Sequence, residues 1–236
     1  MQGEKLISSR EKAFSGRIFR GRHEEPHIIF FPSEYDRDQD IGYLAEGLTG
    51  LGMTLIAFEY GEDLKAALFG LKGPGHLMEK AGAAFKALKI RLNEDKNPGP
   101  LVVMGRSLGS SIALDLSVKE QEAILCLIME SAFDKADAFS HAPEKDPFNN
   151  RKMMAGLKKP VLFLHSSRDE LVSLTEIEWL VAESRSKATQ FKIVPSPSRE
   201  NLAPSTGEFY FKSIRDFIYL RMGRRPKRRK RSKTAS

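Results

Sequence analysis

Apolar residues along this chain fall into short unbroken runs, and between them lie stretches in which they recur at helical spacing. His27-Ile28-Ile29-Phe30-Phe31, Met53–Phe58, Leu101–Met104, Ala123–Met129, Pro160–His165 and Phe191–Val194 read as buried strands. Residues 4–9 and 13–20 read as two shorter strands around a turn at Ser9–Lys12, with Phe14, Ile18 and Phe19 as their apolar positions. Ile41–Leu48 has helical spacing and a stop at Gly50 and Gly52. His76–Leu92 is a long amphipathic helix, ended by Asn97-Pro98-Gly99-Pro100. Thr175–Glu183, with the single Trp179, and Phe209–Met222 are further helices. Pro32–Asp40 reads as a polar loop, Gly61–Gly75 as a loop with a short helix at Leu64–Phe69, and residues 134–158 as irregular with short helices. Strands that alternate with helices imply a mostly parallel sheet covered on both faces.

One strand-to-helix junction carries a chemical signature. Leu101–Met104 runs into Gly105-Arg106-Ser107-Leu108-Gly109, and then into a small-residue helical pattern, Ser110-Ser111-Ile112-Ala113-Leu114. In that order Gly-x-Ser-x-Gly reads as a nucleophile elbow. The glycines are needed because the serine backbone is strained and flanking Cβ atoms would strike the neighbouring strand or helix. The plainer reading is an ordinary turn with a serine at the start of a helix.

Composition changes this picture at one place. The chain carries 38 Lys and Arg against 31 Asp and Glu, a net charge of +7. Nine of those bases, and no acid, lie from Arg221 onward, so the remainder is near neutral at −2. The expected organisation is one domain over residues 1–221 and a disordered polybasic tail over 222–236. Lys227-Arg228-Arg229-Lys230-Arg231 suits contact with a polyanion, nucleic acid or anionic membrane, or simply a solvated end. The one cysteine, Cys126, excludes an internal disulfide and fits a reducing, cytoplasmic compartment. No apolar stretch approaches the length of a transmembrane segment, and the first residues lack a signal-peptide core. His23-Glu24-Glu25-Pro26-His27 matches the letters of a zinc-protease helix, but Pro26 is incompatible with that helix. No metal-ligand cluster or cofactor fingerprint is present, so neither a metal nor a cofactor is expected.

Three stretches together resemble the α/β-hydrolase superfamily, closest to its prolyl-oligopeptidase-like and dienelactone-hydrolase-like branches. They are the elbow Gly105-Arg106-Ser107-Leu108-Gly109-Ser110, the strand end Cys126-Leu127-Ile128-Met129-Glu130-Ser131-Ala132-Phe133, and Pro160-Val161-Leu162-Phe163-Leu164-His165-Ser166-Ser167-Arg168-Asp169-Glu170-Leu171-Val172. The resemblance implies an α/β-hydrolase fold with a small or absent cap, and a triad in the order serine, acid, histidine. Ser107 matches the nucleophile, and Asp169, 62 residues later, matches the acid. An aspartate capping the next turn is the simpler reading of Asp169.

The histidine position departs from the pattern. Val194-Pro195-Ser196-Pro197-Ser198-Arg199-Glu200-Asn201 places Arg199 where the histidine belongs, and all five histidines precede Asp169. A guanidinium does not give up its proton near neutral pH. Of the histidines present, His141 is the one stand-in for a base. The resemblance further implies an oxyanion held by the Leu108 N–H and by a donor after the third strand. There Phe31-Pro32-Ser33-Glu34-Tyr35 offers Ser33, with Pro32 lacking an N–H and Glu34 opposing negative charge. Two readings follow. One is a serine hydrolase of weak or altered activity on a small acyl substrate. The other is a non-catalytic scaffold of the same fold whose basic tail, residues 221–236, contacts a polyanion.

Overall fold

A computed structural model of the chain describes residues 3–7, 15–60, 75–134, 148–199 and 202–224. The expected turn at Ser9–Lys12, Phe14, the short helix at Leu64–Phe69, His141 and the basic run from 225 onward lie outside the described residues. The strands are β1 (Glu4–Ile7), β2 (Ser15–Phe19), β3 (His27–Phe31), β4 (Thr54–Glu59), β5 (Leu101–Arg106), β6 (Cys126–Glu130), β7 (Val161–Ser166) and β8 (Thr189–Val194). The described helices are α1 (Asp38–Gly50), α2 (Gly75–Glu94), α3 (Leu108–Lys119), α4 (Asn150–Gly156), α5 (Leu174–Ala182), α6 (Leu202–Thr206) and α7 (Glu208–Arg221).

Among the described residues the strands form one eight-stranded sheet in the order β1-β2-β4-β3-β5-β6-β7-β8. β1 and β2 enter antiparallel, and every pair from β4 through β8 is parallel. Because both faces are covered, the central strands are continuously apolar rather than alternating. Along β3, Ile28 and Phe30 face α1 and α7, while Ile29 and Phe31 face the layer formed by α2, α3 and α5. Cys126 is buried in the first of these layers, and burial pushes its thiol up to about 12.

The strand order reverses between β3 and β5: the chain steps outward from β3 to β4, then returns across β3 to β5. At such a switch point the loops leaving the carboxyl ends of two adjacent strands diverge and open a crevice. Here those two loops are Pro32–Arg37 and the Ser107 turn.

Several boundaries differ from the sequence reading. α1 begins three residues before Ile41, because the Arg37 N–H donates to Asp40 Oδ2 at 3.0 Å and so caps a wholly polar first turn. Asn149 caps α4 through its side chain, which accepts from the Lys152 N–H. β8 starts two residues before Phe191, and as the edge strand it is only half covered. The basic end is not wholly apart from the domain. Arg224 donates its N–H to Tyr219 O at 2.8 Å and its guanidinium to Glu25 at 2.8 Å, so the described chain stays attached through residue 224. His27 lies inside β3 and His23 is exposed, bonded to Lys96 O at 3.0 Å, so the two do not share a helix face. No described helix is long and apolar enough to cross a membrane.

Candidate functional site

The turn after β5 has the geometry its glycines predict. Ser107 sits at φ 51° and ψ −120°, a conformation disfavoured for a residue with a Cβ. Its N–H donates to Glu130 O at 2.9 Å, and Ser110 Oγ donates to Gly105 O at 2.8 Å. A Cβ on Gly105 would collide with Gly109 O, and one on Gly109 with Phe31 O. The turn therefore packs against the end of β3 with no room for side chains.

Three of the residues singled out in the sequence converge at this turn. Arg199, in the loop after β8, donates from Nη2 to Ser107 Oγ at 3.0 Å and from Nη1 to Asp169 Oδ1 at 3.2 Å. Its Nη2 also bonds Ser131 O at 2.9 Å, and Ser131 Oγ returns a bond to Arg199 O at 2.9 Å. The side chains of Arg199 and Asp169 are 4% and 1% exposed, so the ion pair is shielded from solvent. Asp169 also caps its own turn, as the simpler reading held: its Oδ1 accepts from the N–H groups of Leu171 and Val172 at 3.0 and 2.9 Å.

The expected oxyanion donors are both occupied. The Leu108 N–H donates to Glu34 Oε2 at 3.3 Å, and Ser107 Oγ donates to Glu34 Oε1 at 3.1 Å. The Ser33 N–H is turned away and donates to Asp36 Oδ2 at 2.7 Å. The loop closes as a tight turn on Asp36, which captures the N–H of the expected donor Ser33. From the sequence Glu34 reads only as an unfavourable neighbour of an oxyanion. It is a direct partner of both Ser107 and Leu108.

Asp36 belongs to a buried charge network that the sequence did not reveal. Arg106, between the glycine and the serine of the elbow, pairs with Asp36 through Nη1 and with Glu130 through Nε at 3.0 Å. Tyr210 of α7 donates its hydroxyl to Glu130 Oε2, and the Arg106 guanidinium lies 5.3 Å from the Phe30 ring centroid. Burial opposes the charge on Arg106, but Glu130 and Asp36 outweigh it and hold the guanidinium protonated. Burial raises the Glu130 carboxyl, with Arg106 and the Tyr210 bond acting against it. The signal available in sequence was a charged residue at an elbow position that must be buried.

His165, at the end of β7, is fully buried. Its Nε2 lies 3.0 Å from Val172 O and 3.7 Å from Asp169 Oδ2. Burial lowers its pKa despite the nearby Asp169. It buttresses the Asp169 turn, in keeping with a strand-end structural role. Beside Ser107 a cleft of about 320 Å³ is lined by Ser33, Tyr35, Asp36, Arg106, Ser131 and Arg199, with Arg37 and Asp40 completing it. Among the described residues no group of three or more His, Cys, Asp or Glu is placed to hold a metal ion.

No family model matches the chain. Among curated proteins it is similar to the alpha/beta hydrolase domain-containing protein WAV2 of Arabidopsis thaliana, 25% identical over 166 residues, or 60% of this chain and 53% of that protein. It is also similar to protein bem46 of Schizosaccharomyces pombe, 27% identical over 132 residues, 50% of this chain and 43% of the relative. The chain thus spans about half the length of these curated relatives. Among solved structures it resembles dienelactone hydrolase from Anabaena variabilis (TM-score 0.71, 15% identity, 93% of this chain and 98% of that one). It likewise resembles Est1E from Butyrivibrio proteoclasticus (TM-score 0.68, 13% identity, 95% and 100%). The fold is that of the α/β-hydrolase superfamily, as the elbow and its flanking strands implied.

Proposed function

We propose that this chain is an α/β-hydrolase-fold protein that has left ordinary ester hydrolysis, and that its Ser107 site binds rather than cleaves. The carrying observation is the seat between the serine and the acid. It is filled by Arg199, which donates to Ser107 Oγ at 3.0 Å and to Asp169 Oδ1 at 3.2 Å. In this reading Ser107 stands in the nucleophile position, Asp169 in the acid position and Leu108 N–H in the oxyanion position. Arg199 has no lone pair with which to take the serine proton. Loss of the histidine from a serine triad costs on the order of a million-fold in turnover. Loss of one oxyanion donor costs about a hundred- to a thousand-fold more, and Glu34 puts a negative charge where the oxyanion would form.

The test is labelling by a fluorophosphonate, which needs an activated serine, on wild type beside Ser107→Ala. The expected result is no Ser107-dependent labelling of folded protein. Labelling that disappears in Ser107→Ala would overturn the reading, restore the serine-hydrolase alternative on a small acyl substrate, and direct attention to His141 as its base.

A further inference from the structure

Glu34 is bound as a ligand would be. One carboxylate oxygen accepts from the Ser107 hydroxyl at 3.1 Å, and the other from the Leu108 N–H at 3.3 Å and the Ser33 hydroxyl at 3.4 Å. Ser107 Oγ in turn accepts from the buried Arg199 guanidinium at 3.0 Å, which orients its proton toward Glu34. Glu34 makes no ion pair with any described residue, so three neutral donors are all that hold its charge. Its neighbours in the loop are fixed much more firmly, Asp36 by the buried Arg106 and by the Ser33 N–H. The loop is therefore anchored independently of Glu34, and the Glu34 side chain is free to leave without unfolding it.

We propose that the Ser107 site is a receptor for small polar carboxylic acids, and that Glu34 is its built-in competitor. This rests on the non-hydrolytic reading and names the ligand class of the same site. The donors presented to Glu34 match a planar two-oxygen group, one donor to one oxygen and two to the other. Ser107 and Ser33 both touch Glu34 and both line the cleft of about 320 Å³, so a carboxylate seated in place of Glu34 continues into that space. The cleft is lined by hydroxyl, carboxylate and guanidinium groups, which selects a polar body such as a 2-hydroxy acid over an alkyl chain. A ligand that must displace Glu34 binds with an affinity reduced by the fraction of molecules in which the seat is empty.

The experiment is titration of acetate, lactate and the neutral amide lactamide into wild type, Glu34→Ala and Glu34→Ala/Arg199→Gln. Binding is followed by chemical-shift changes, and folding is verified by circular dichroism. Glu34→Ala is expected to bind lactate about tenfold or more tightly than wild type. Lactamide is expected not to compete, and the added Arg199→Gln to remove the gain. Equal lactate affinity in wild type and Glu34→Ala, or equal binding of lactamide, would overturn the proposal. If Glu34→Ala perturbs the fold, Glu34→Gln replaces it as the variant that removes charge alone, and it must still strengthen lactate binding. Fluorophosphonate labelling of the same variants separates the two ideas. Labelling with lactate binding intact removes the non-hydrolytic reading and keeps the ligand class; silence with no lactate binding does the reverse.

Discussion

At the scale of single residues, the guanidinium of Arg199 joins the ends of three strands. It touches Ser107 after β5, Ser131 after β6 and Asp169 after β7, while its own backbone follows β8. Arg199→Ala leaves Asp169 buried with two backbone donors and no counter-charge. Breaking a buried pair from one side costs about 3–5 kcal/mol. The retained bonds from Leu171 and Val172 place the expected loss near the lower end, measured by urea denaturation. A second residue-level expectation concerns pH. Burial lowers the pKa of His27 below 6.5, with its bond to Asn97 O acting against that, and burial lowers His165 as well. The unfolded chain takes up these protons as pH falls through 6.5 while the folded chain resists, so stability is full above 6.5 and is lost below it. The melting temperature of wild type is expected to fall between about pH 7 and pH 5, and that of His27→Gln to fall less steeply. The residue scale is also where the sequence said least. Ser107, Asp169 and Arg199 were legible because each sits at a motif position. Glu34 was visible only as a charge in the wrong neighbourhood, since nothing in a loop sequence states which way a carboxylate turns. The bond from the Ser33 N–H to Asp36 was not legible, because a local turn chooses that partner.

At the scale of elements, most strands and long helices were readable because burial on two faces writes unbroken apolar runs and burial on one face writes a helical period. The misses have physical causes. α6 is a short helix containing Pro204, with too few residues to show a period. β8 reads from Phe191 onward, but as an edge strand it begins with the polar Thr189 and Gln190, which extend no apolar run. One contact between elements makes a sharp test. Gly47 in α1 has no Cβ because the Phe211 ring of α7 occupies that space. Alanine is the better helix former by about 1 kcal/mol, yet overpacking costs about 1–3 kcal/mol. Gly47→Ala is therefore expected to lower the melting temperature, and Gly47→Ala/Phe211→Leu to recover part of the loss. A rise in Gly47→Ala would show that Phe211 swings aside freely.

At the scale of the whole molecule, the two conspicuous features lie at opposite ends of the sheet. Ser107 follows the carboxyl end of β5. Arg224, at the start of the basic end, is fastened beside Glu25, just ahead of the amino end of β3, which runs parallel to β5. A chain cut after Arg224 keeps the Glu25 contact and every described core residue. It is expected to melt with wild type within error while eluting much earlier from a cation exchanger. A lower melting temperature would mean that residues 225–236 support the domain.

The filled seats at Ser107 bear on how such a molecule ages and how it can be engineered. Catalytic centres hold groups that are poorly satisfied until substrate arrives, and folds carry that as a standing liability against thermal inactivation. Here Arg199 and Glu34 together engage the Ser107 hydroxyl, Asp169 Oδ1 and the Leu108 N–H. Reinstating an enzyme-like constellation with Arg199→His/Glu34→Gly should then show an inverse relation: any esterase turnover on p-nitrophenyl acetate arrives with a lower melting temperature than wild type. On the non-hydrolytic reading proposed above, the resting protein is a hydrolase-like core set for durability, with a clasp where the chemistry would stand.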